Sequence, residues 1–205
     1  MEDNRKNRKL NNKGLSMIEI IVVVALMAIL VGGISLGFAV ITNSYAKEAA
    51  SYVTDALGMT RTKATSITAT EWNMTITKED ADSGYVINVN KVTLATDAEG
   101  HSVRNTEVIE SFTADSELTI SYKNGEATSD GAVTLIGPDG TDTTLMVKFN
   151  GGQGSIEGVY LGSEGVTLLG GTSQSDIGSI IIESGSFSRT IEIYHATGKY
   201  DIIDD

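Results

Sequence analysis

The pattern of apolar and polar positions divides the chain into three parts. Residues 20–41 are 22 successive positions without a charge, and a helix of about 20 apolar residues is long enough to cross the hydrocarbon of a bilayer. Over residues 45–57 the apolar positions recur at spacings of three and four, the period of a helix that buries one face. Further along, apolar and polar residues alternate, as in half-buried strands. The sequence therefore predicts an N-terminal helix over 15–67, with a membrane-spanning first half and an amphipathic second half, and a β-rich domain over 68–205.

Short strand candidates follow one another through the β-rich domain. They are 72–76, 85–89, 92–96, 106–112, 118–122, 132–136, 144–149, 156–161, 166–169, 179–183, 190–195 and 199–203. Turn sequences separate many of them, for example DSG at 82–84 and KNGE at 123–126, and the last two form a hairpin around HATGK. Short strands joined by tight turns predict an antiparallel sheet packed partly against the helix, so the expected fold class is α+β.

Charge is distributed unevenly along the chain. The 15 basic and 27 acidic residues give a net charge of −12. Residues 1–14 hold five basic and two acidic residues, a balance of +3, so the remainder carries −15. A basic segment before an apolar run stays on the cytoplasmic side of the membrane, and a strongly acidic remainder fits a well-solvated domain outside it. The acidic balance also argues against nucleic acid as the main partner.

One carboxylate, Glu19, stands at the beginning of the apolar run. A lone carboxylate in the membrane costs about 2.5–3.5 kcal/mol on insertion scales, so a partner supplied from outside this helix would stabilise it. The alternative is that Glu19 lies close enough to the interface to be hydrated. A cleaved secretory signal is a second alternative for the whole run, but the apolar core of such a signal is usually about 7–15 residues long.

The residues around Glu19 resemble a known signal. Lys13-Gly14 is followed by Leu15-Ser16-Met17-Ile18-Glu19 and then by the uncharged run, and this order resembles the type III signal of type IV pilins and pseudopilins. The resemblance implies that a prepilin peptidase cuts the basic leader, 1–14, after Gly14 and methylates the new N-terminus at Leu15. Glu19 is then the fifth mature residue, as in the family. Leu15 and Ser16 differ from the family's usual Phe and frequent Thr.

The resemblance also implies a role for Glu19 and a set of partners. Cleavage creates a cationic amine at Leu15, four residues before Glu19 and on the same face of a helix. In a filament, Glu19 of one subunit pairs with the amine of a neighbour, which fixes the axial register as buried polar groups do in coiled coils. The implied partners are the prepilin peptidase/N-methyltransferase, other pilin subunits, an inner-membrane assembly platform and, before assembly, the lipid bilayer.

A second resemblance lies at the other end of the chain, over residues 184–203. This segment resembles the closing hairpin of the FimT/GspH minor pseudopilin group, in which an Arg-led strand turns through Thr-Gly-Lys into the last strand. The likeness is carried by Arg189, Ile191, Ile193, Thr197, Gly198 and Lys199. Any β-hairpin with Gly in its turn is the alternative interpretation.

Candidate chemistry is sparse in this sequence. There is no Cys, which excludes disulfides and thiol nucleophiles. His101 is predicted in a loop and His195 on a strand; neither has a visible catalytic partner, so both are expected at the surface. Asp139 and Asp142 lack the spacing of an EF-hand loop. No catalytic site, metal site or cofactor is therefore expected, and the chain is not expected to be an enzyme.

Two further residues are not interpreted as functional. Asn73 begins an Asn-Met-Thr glycosylation sequon, a pattern too short to carry weight. Trp72 belongs with Met74 and Ile76 to an alternating stripe and is expected in the core rather than in a ligand platform.

Three functions follow from these observations. The first is a structural subunit of a type IV pilus-like filament or a secretion pseudopilus. The alternative is a minor tip pilin that acts as a binding module in adhesion, DNA uptake or recognition of a secreted substrate. The third, a membrane-tethered enzyme, has no supporting constellation. The expected location is the cytoplasmic membrane before assembly, as a single-pass protein with its leader inside and its domain outside, and a surface filament or pseudopilus afterwards.

Overall fold

The computed structural model of the chain describes residues 17–66, 70–96, 100–127, 130–138, 143–162, 167–171 and 176–204. Over these ranges one helix precedes eleven strands. The helix is α1 (Met17–Ser66), and the strands are β1 (Glu71–Thr77), β2 (Tyr85–Thr96), β3 (Ser102–Ala114), β4 (Thr119–Asn124), β5 (Val133–Ile136), β6 (Thr144–Phe149), β7 (Ile156–Leu161), β8 (Thr167–Gly170), β9 (Ile177–Ser184), β10 (Phe187–Tyr194) and β11 (Lys199–Asp204).

Helix α1 contains 50 residues. The chain divides into two compact units between Val40 and Ile41, so the first part of the helix belongs to one unit and the second part to the other. Its first turn contains the acidic Glu19 and its last turn the basic Lys63. This arrangement of charges stabilises both ends, because the helix dipole favours anions at the N-terminus and cations at the C-terminus.

The predicted membrane span of the first half of α1 is not confirmed. Among the described residues, no helix has the combination of length and apolar character needed to cross a membrane.

From Ile41 onward, α1 buries one face in the core of the second unit. The buried residues recur at spacings of three, four and seven, as an amphipathic helix requires. They are Ala46, Ala49, Ala50, Val53, Ala56, Leu57 and Ala64. Five of the seven are alanines, so only Val53 and Leu57 bring larger apolar side chains from this face into the core.

The strands form two antiparallel sheets. The six-stranded sheet has the order β3-β2-β1-β6-β7-β8, and the five-stranded sheet has the order β11-β10-β9-β4-β5. The inward-facing residues of both sheets join the alanine stripe of α1 in one hydrophobic cluster. The largest fully buried side chains of this cluster are Tyr122, Phe149, Leu57, Met74, Ile76, Ile87, Ile120, Leu145, Ile180, Ile182, Ile191 and Ile193.

Contacts at three points along the second half of α1 hold it against the strands. The ring of Tyr52 stacks on Phe112 of β3 with 5.3 Å between centroids. Gly58 lies against Tyr200 of β11, whose hydroxyl oxygen would be only 2.8 Å from a Cβ at this position. Near the end of the helix, the Gly152 N–H donates to the Ala64 carbonyl over 2.8 Å, which satisfies one of the carbonyls that a helix terminus leaves open.

The structure confirms the α+β class, the helical second half of the N-terminal segment and the closing hairpin, in which β10 pairs with β11. The interpretation of 85–89 and 92–96 as separate strands is wrong. They form the single strand β2, whose pairing with β3 shifts register between Val89 and Asn90. The extra residue of this shift is Ile109 on β3, and β2 pairs with β1 without a break. The sequence pattern breaks because apolar Val92 and Leu94 take positions on the same face of β2 as Asn90.

We predict that Gly198→Ala destabilises the protein more than Gly100→Ala. Both glycines have positive φ angles, +62° and +90°, which cost a residue with a side chain about 1–2 kcal/mol. At Gly198 the added Cβ would also lie 1.9 Å from the Gly154 carbonyl oxygen, whereas at Gly100 it meets nothing within 4 Å. We expect an additional loss of about 1–3 kcal/mol at Gly198, measured as the free energy of unfolding in urea. Equal losses in the two variants would contradict the close approach of the closing turn to the 150–154 loop.

Candidate functional site

The N-terminal signal is only partly within the described structure. Gly14 and Leu15 lie outside the described residues, so their predicted processing stays a prediction. Glu19 lies in the first turn of α1, two residues after the first described residue.

Large apolar side chains surround α1 over the residues that follow Glu19, as far as Val31. Twelve large apolar residues from Met17 to Val31 are each 46–81% exposed. Five of them, at 20–24, are consecutive and therefore point in every direction around the helix axis. A helix that is apolar on all sides is normally buried on all sides. A helix with one apolar stripe, by contrast, needs to pack against a neighbour on that side only.

The position of His195 overturns the expectation of a surface histidine on a strand. His195 follows the last residue of β10 and begins the closing turn, and it is 1% exposed. Its N–H donates to the Asp176 carbonyl over 3.1 Å, and its carbonyl accepts from the Ile156 N–H over 2.9 Å. These two hydrogen bonds to distant segments hold the turn against the core. The alternation of the local sequence gives no sign of them.

The His195 ring meets Tyr122 over a glycine. A Cβ added at Gly178 would lie 2.4 Å from the Tyr122 hydroxyl and 2.9 Å from Nε2 of His195. Both ring nitrogens and the Tyr122 hydroxyl are buried and have no hydrogen-bond partner among the described residues. Only glycine at 178 leaves room for both polar groups.

Burial and one nearby carboxylate set the titration of this pair. Desolvation lowers the pKa of His195, and the charge of Asp176 opposes this shift without cancelling it. Desolvation raises the pKa of Tyr122, and the charge of Asp176 raises it further. At neutral pH His195 is therefore neutral and Tyr122 is protonated, which is the cheapest state for two buried groups.

Sequence reasoning missed this cluster because its members are far apart in the chain. The alternation of β4 gave a signal for the burial of Tyr122, but Asp176 just before β9 gave none. Among the described residues, no Ser, Thr or Cys side chain is hydrogen-bonded to His195, as a catalytic triad would require. Within the described ranges, no three His, Cys, Asp or Glu side chains come together in a way that could hold a metal ion.

The remaining candidates of the sequence analysis have separate positions. His101 is exposed in the loop before β3. Trp72 is 3% exposed and belongs to the hydrophobic cluster, as expected. Asn73 is buried in the middle of a sheet, where its amide is not presented as a surface sequon. Asp139 and Asp142 lie outside the described residues.

The comparison with protein families identifies the N-terminal segment. Residues 9–35 match the family model of the prokaryotic N-terminal methylation motif. The chain thus carries a prepilin signal of the type IV pilin and pseudopilin kind, a class of structural rather than enzymatic proteins. The match does not distinguish between subfamilies, so the likeness of 184–203 to the FimT/GspH group stays a hypothesis. No curated protein and no solved structure matches the chain significantly.

We predict that the stability of the protein falls as the pH drops below about 6.5, and that His195→Gln reduces this dependence. The pKa of His195 is lowered in the folded state, while unfolded histidine titrates near 6.5. The unfolded state therefore binds more protons below 6.5. The stabilisation is complete above this pH and is lost as the pH falls toward the folded pKa, with a slope of at most about 1.4 kcal/mol per pH unit.

The measurement is the free energy of urea unfolding of the full chain between pH 7.5 and 5.5, in a zwitterionic detergent. His101→Gln is the matched control, because His101 is exposed and its replacement should leave the slope unchanged. A wild-type slope that persists in His195→Gln would show that other groups cause the pH dependence.

Proposed function

We propose that this chain is a structural subunit of a type IV pilus-like filament or a secretion pseudopilus. A prepilin peptidase/N-methyltransferase cuts it between Gly14 and Leu15 and methylates Leu15. The subunit then assembles through the N-terminal helix, 15–67, with an assembly platform in the inner membrane and with other pilin subunits. The β-rich part, 68–205, faces the solvent outside the cell.

The observation that carries the proposal is the all-round apolar surface of α1 directly after the methylation motif. The twelve exposed apolar side chains from Met17 to Val31 leave no polar face for water. Lipid covers such a segment before assembly, and the helices of neighbouring subunits cover it in a filament. A filament core made of packed helices satisfies this requirement on every side, which a single docking partner does not.

In this proposal, Glu19 fixes the axial register between neighbouring subunits. It lies in the first turn of α1, where the amine of Leu15 is one helical turn away in the same chain and can meet the carboxylate of a neighbouring subunit. An ion pair in apolar surroundings is strongly favourable only when its partners are close and well oriented. The pair therefore stabilises one axial offset between subunits, while apolar contacts alone tolerate several.

The membrane stage before assembly rests on the prepilin signal and on the uncharged run 20–41. The basic leader keeps its end in the cytoplasm, and the acidic remainder is translocated. The first location is thus the cytoplasmic membrane, and the second is the filament.

The alternative role as a minor tip pilin is favoured by one feature of the second unit, a polar cleft on the six-stranded sheet that is described below. A subunit at the tip exposes its domain to ligands, whereas assembly uses the helix in both roles.

We predict that Gly14→Ala blocks or slows the removal of the leader. The peptidase is expected to require Gly14 directly before the cut. Gly32→Ala is the matched control, because a Cβ at Gly32 meets nothing within 4 Å and the residue lies well beyond the cleavage site. The measurement is the intact mass and N-terminal sequence of the native protein from cells with and without a prepilin peptidase. Methylated Leu15 at the N-terminus supports the proposal, and surface-assembled protein that retains residues 1–14 would overturn it.

We predict that Glu19→Ala is processed normally but impairs assembly. Without the carboxylate, subunits lose the interaction that selects their axial offset, while the apolar surface remains. The measurement is the amount of the protein in filaments sheared from a strain that depends on it, with leader removal checked in parallel. Asp55→Ala, an exposed acidic residue of the same helix, is the control. Normal filaments from Glu19→Ala would contradict the register role.

A further inference from the structure

A cleft of about 760 Å³ lies on the outer face of the six-stranded sheet. Its floor is formed by β1, β2 and β6, and the first half of β3 forms its wall. It lies beside the register shift between Val89 and Asn90, and a bulge bends and twists the strands that contain it. The bend thus gives a concave surface to a sheet face that would otherwise be open, with a volume in the range of small-molecule sites.

The floor of the cleft is polar and yet buried. Asn73, Thr75 and Thr77 alternate along β1 with the core residues of the same strand, so they point away from the core. Despite this outward direction, Asn73 is 3% exposed and Asn90, its cross-strand neighbour, is 4% exposed. Buried amides are costly unless their polar atoms are satisfied.

The hydrogen bonds of the two amides leave the amino group of Asn73 and the carbonyl oxygen of Asn90 available. The Asn90 amide nitrogen donates to Oδ1 of Asn73 and to the Thr75 hydroxyl, each over 3.0 Å. Both of its protons are thereby used. Among the described residues, Nδ2 of Asn73 and Oδ1 of Asn90 have no hydrogen-bond partner. These two atoms belong to directly opposed residues on neighbouring strands, whose Cβ atoms are typically about 4.5–5.5 Å apart.

The cleft carries little net charge. Arg104 is the one charged residue among the described residues of its lining, and its guanidinium donates to the Glu71 carboxylate. Glu71 also pairs with Lys148, 3.4 Å away, which in turn contacts Glu157 at 2.8 Å. Two cations and two anions thus neutralise one another beside the cleft, so among the described residues an ionic ligand finds no unpaired opposite charge there.

We propose that this cleft binds a neutral, hydroxyl-rich ligand, namely a carbohydrate. A sugar hydroxyl donates one hydrogen bond and accepts others, which matches the adjacent donor and acceptor of Asn73 and Asn90. The hydroxyls of Thr77 and Thr144, which lie 3.1 Å apart, and those of Ser102 and Thr106 add further partners around the floor.

The apolar part of the lining fits the same ligand class. Val92, Val103 and Met146 alternate with the polar groups of the cleft and offer small apolar surfaces to the C–H groups of a sugar ring. A phosphate or carboxylate ligand would instead need unpaired cations. The proposal does not rest on the filament assignment, because every lining residue lies between 73 and 146, outside the N-terminal helix.

The test uses the full chain in dodecylphosphocholine, a detergent without a sugar head group. The probe is an array of neutral gluco-, galacto- and manno-configured di- and trisaccharides, together with sulfated and sialylated forms of the same cores. We expect binding to at least one neutral oligosaccharide and no preference for the acidic forms. The Kd of the best neutral probe is then measured by calorimetry for the wild type and the variants.

Thr106→Trp places a bulky side chain on the exposed wall of the cleft and should weaken binding at least about tenfold, or 1.4 kcal/mol. Ser111→Trp is the matched control: it lies on the same strand, is exposed and is not part of the lining, so its Kd should stay within about twofold of the wild type. Asn73→Asp keeps the acceptor for Asn90 but removes the free donor, and should also weaken binding about tenfold.

Three results would overturn the proposal. They are no binding of any neutral oligosaccharide at millimolar concentration, a preference for the acidic forms, and equal affinities for Thr106→Trp and Ser111→Trp in protein that retains wild-type circular dichroism. None of these readouts requires an assembled filament, so failure here leaves the filament proposal standing, and loss of the filament proposal leaves this one standing.

Discussion

The way in which one helix is covered determines the organisation of this protein. From Met17 to Val31, α1 exposes large apolar side chains in all directions, so it requires cover on every side. From Ala46 to Ala64 the same helix buries only a stripe, and the strands of its own chain cover that stripe. Among the described residues, most of the exposed large apolar side chains thus lie in the first half of α1.

The alanine stripe explains why the second half of α1 belongs to the β-rich unit. The alanines at 46, 49, 50, 56 and 64 join the inward-facing residues of both sheets in one hydrophobic cluster, and Gly58 leaves room for the Tyr200 hydroxyl. The stacking of Tyr52 on Phe112 and the bond from Gly152 to Ala64 then fix the helix at two further points. The contacts of α1 thus reach β3 and β11, each of which lies at an edge of its sheet.

The sequence predicted the features that depend on the local spacing of apolar residues. It did not predict those that depend on contacts between residues far apart in the chain. The helix, the burial of Trp72 and the closing hairpin follow from spacings of three and four, from alternation and from a Gly turn. The partition of the strands into two sheets does not, because β1 pairs with β6 and β4 pairs with β9 across long stretches of chain. His195 is buried through hydrogen bonds to Asp176 and Ile156, and the sequence near residue 195 gives no indication of either bond. For the N-terminal signal, a contiguous motif was sufficient.

The two faces of the six-stranded sheet have different physical requirements, and the difference separates assembly from recognition. Its inner face is apolar and joins the alanine stripe, so a change there alters stability. Its outer face holds the amides of Asn73 and Asn90 and a neutral set of rim charges, which contribute nothing to that core. A polar outer face can therefore change its ligand without changing how the helix packs. Conversely, in the proposed filament, Glu19 and the apolar surface after it would set the geometry of assembly without constraining what the proposed cleft binds.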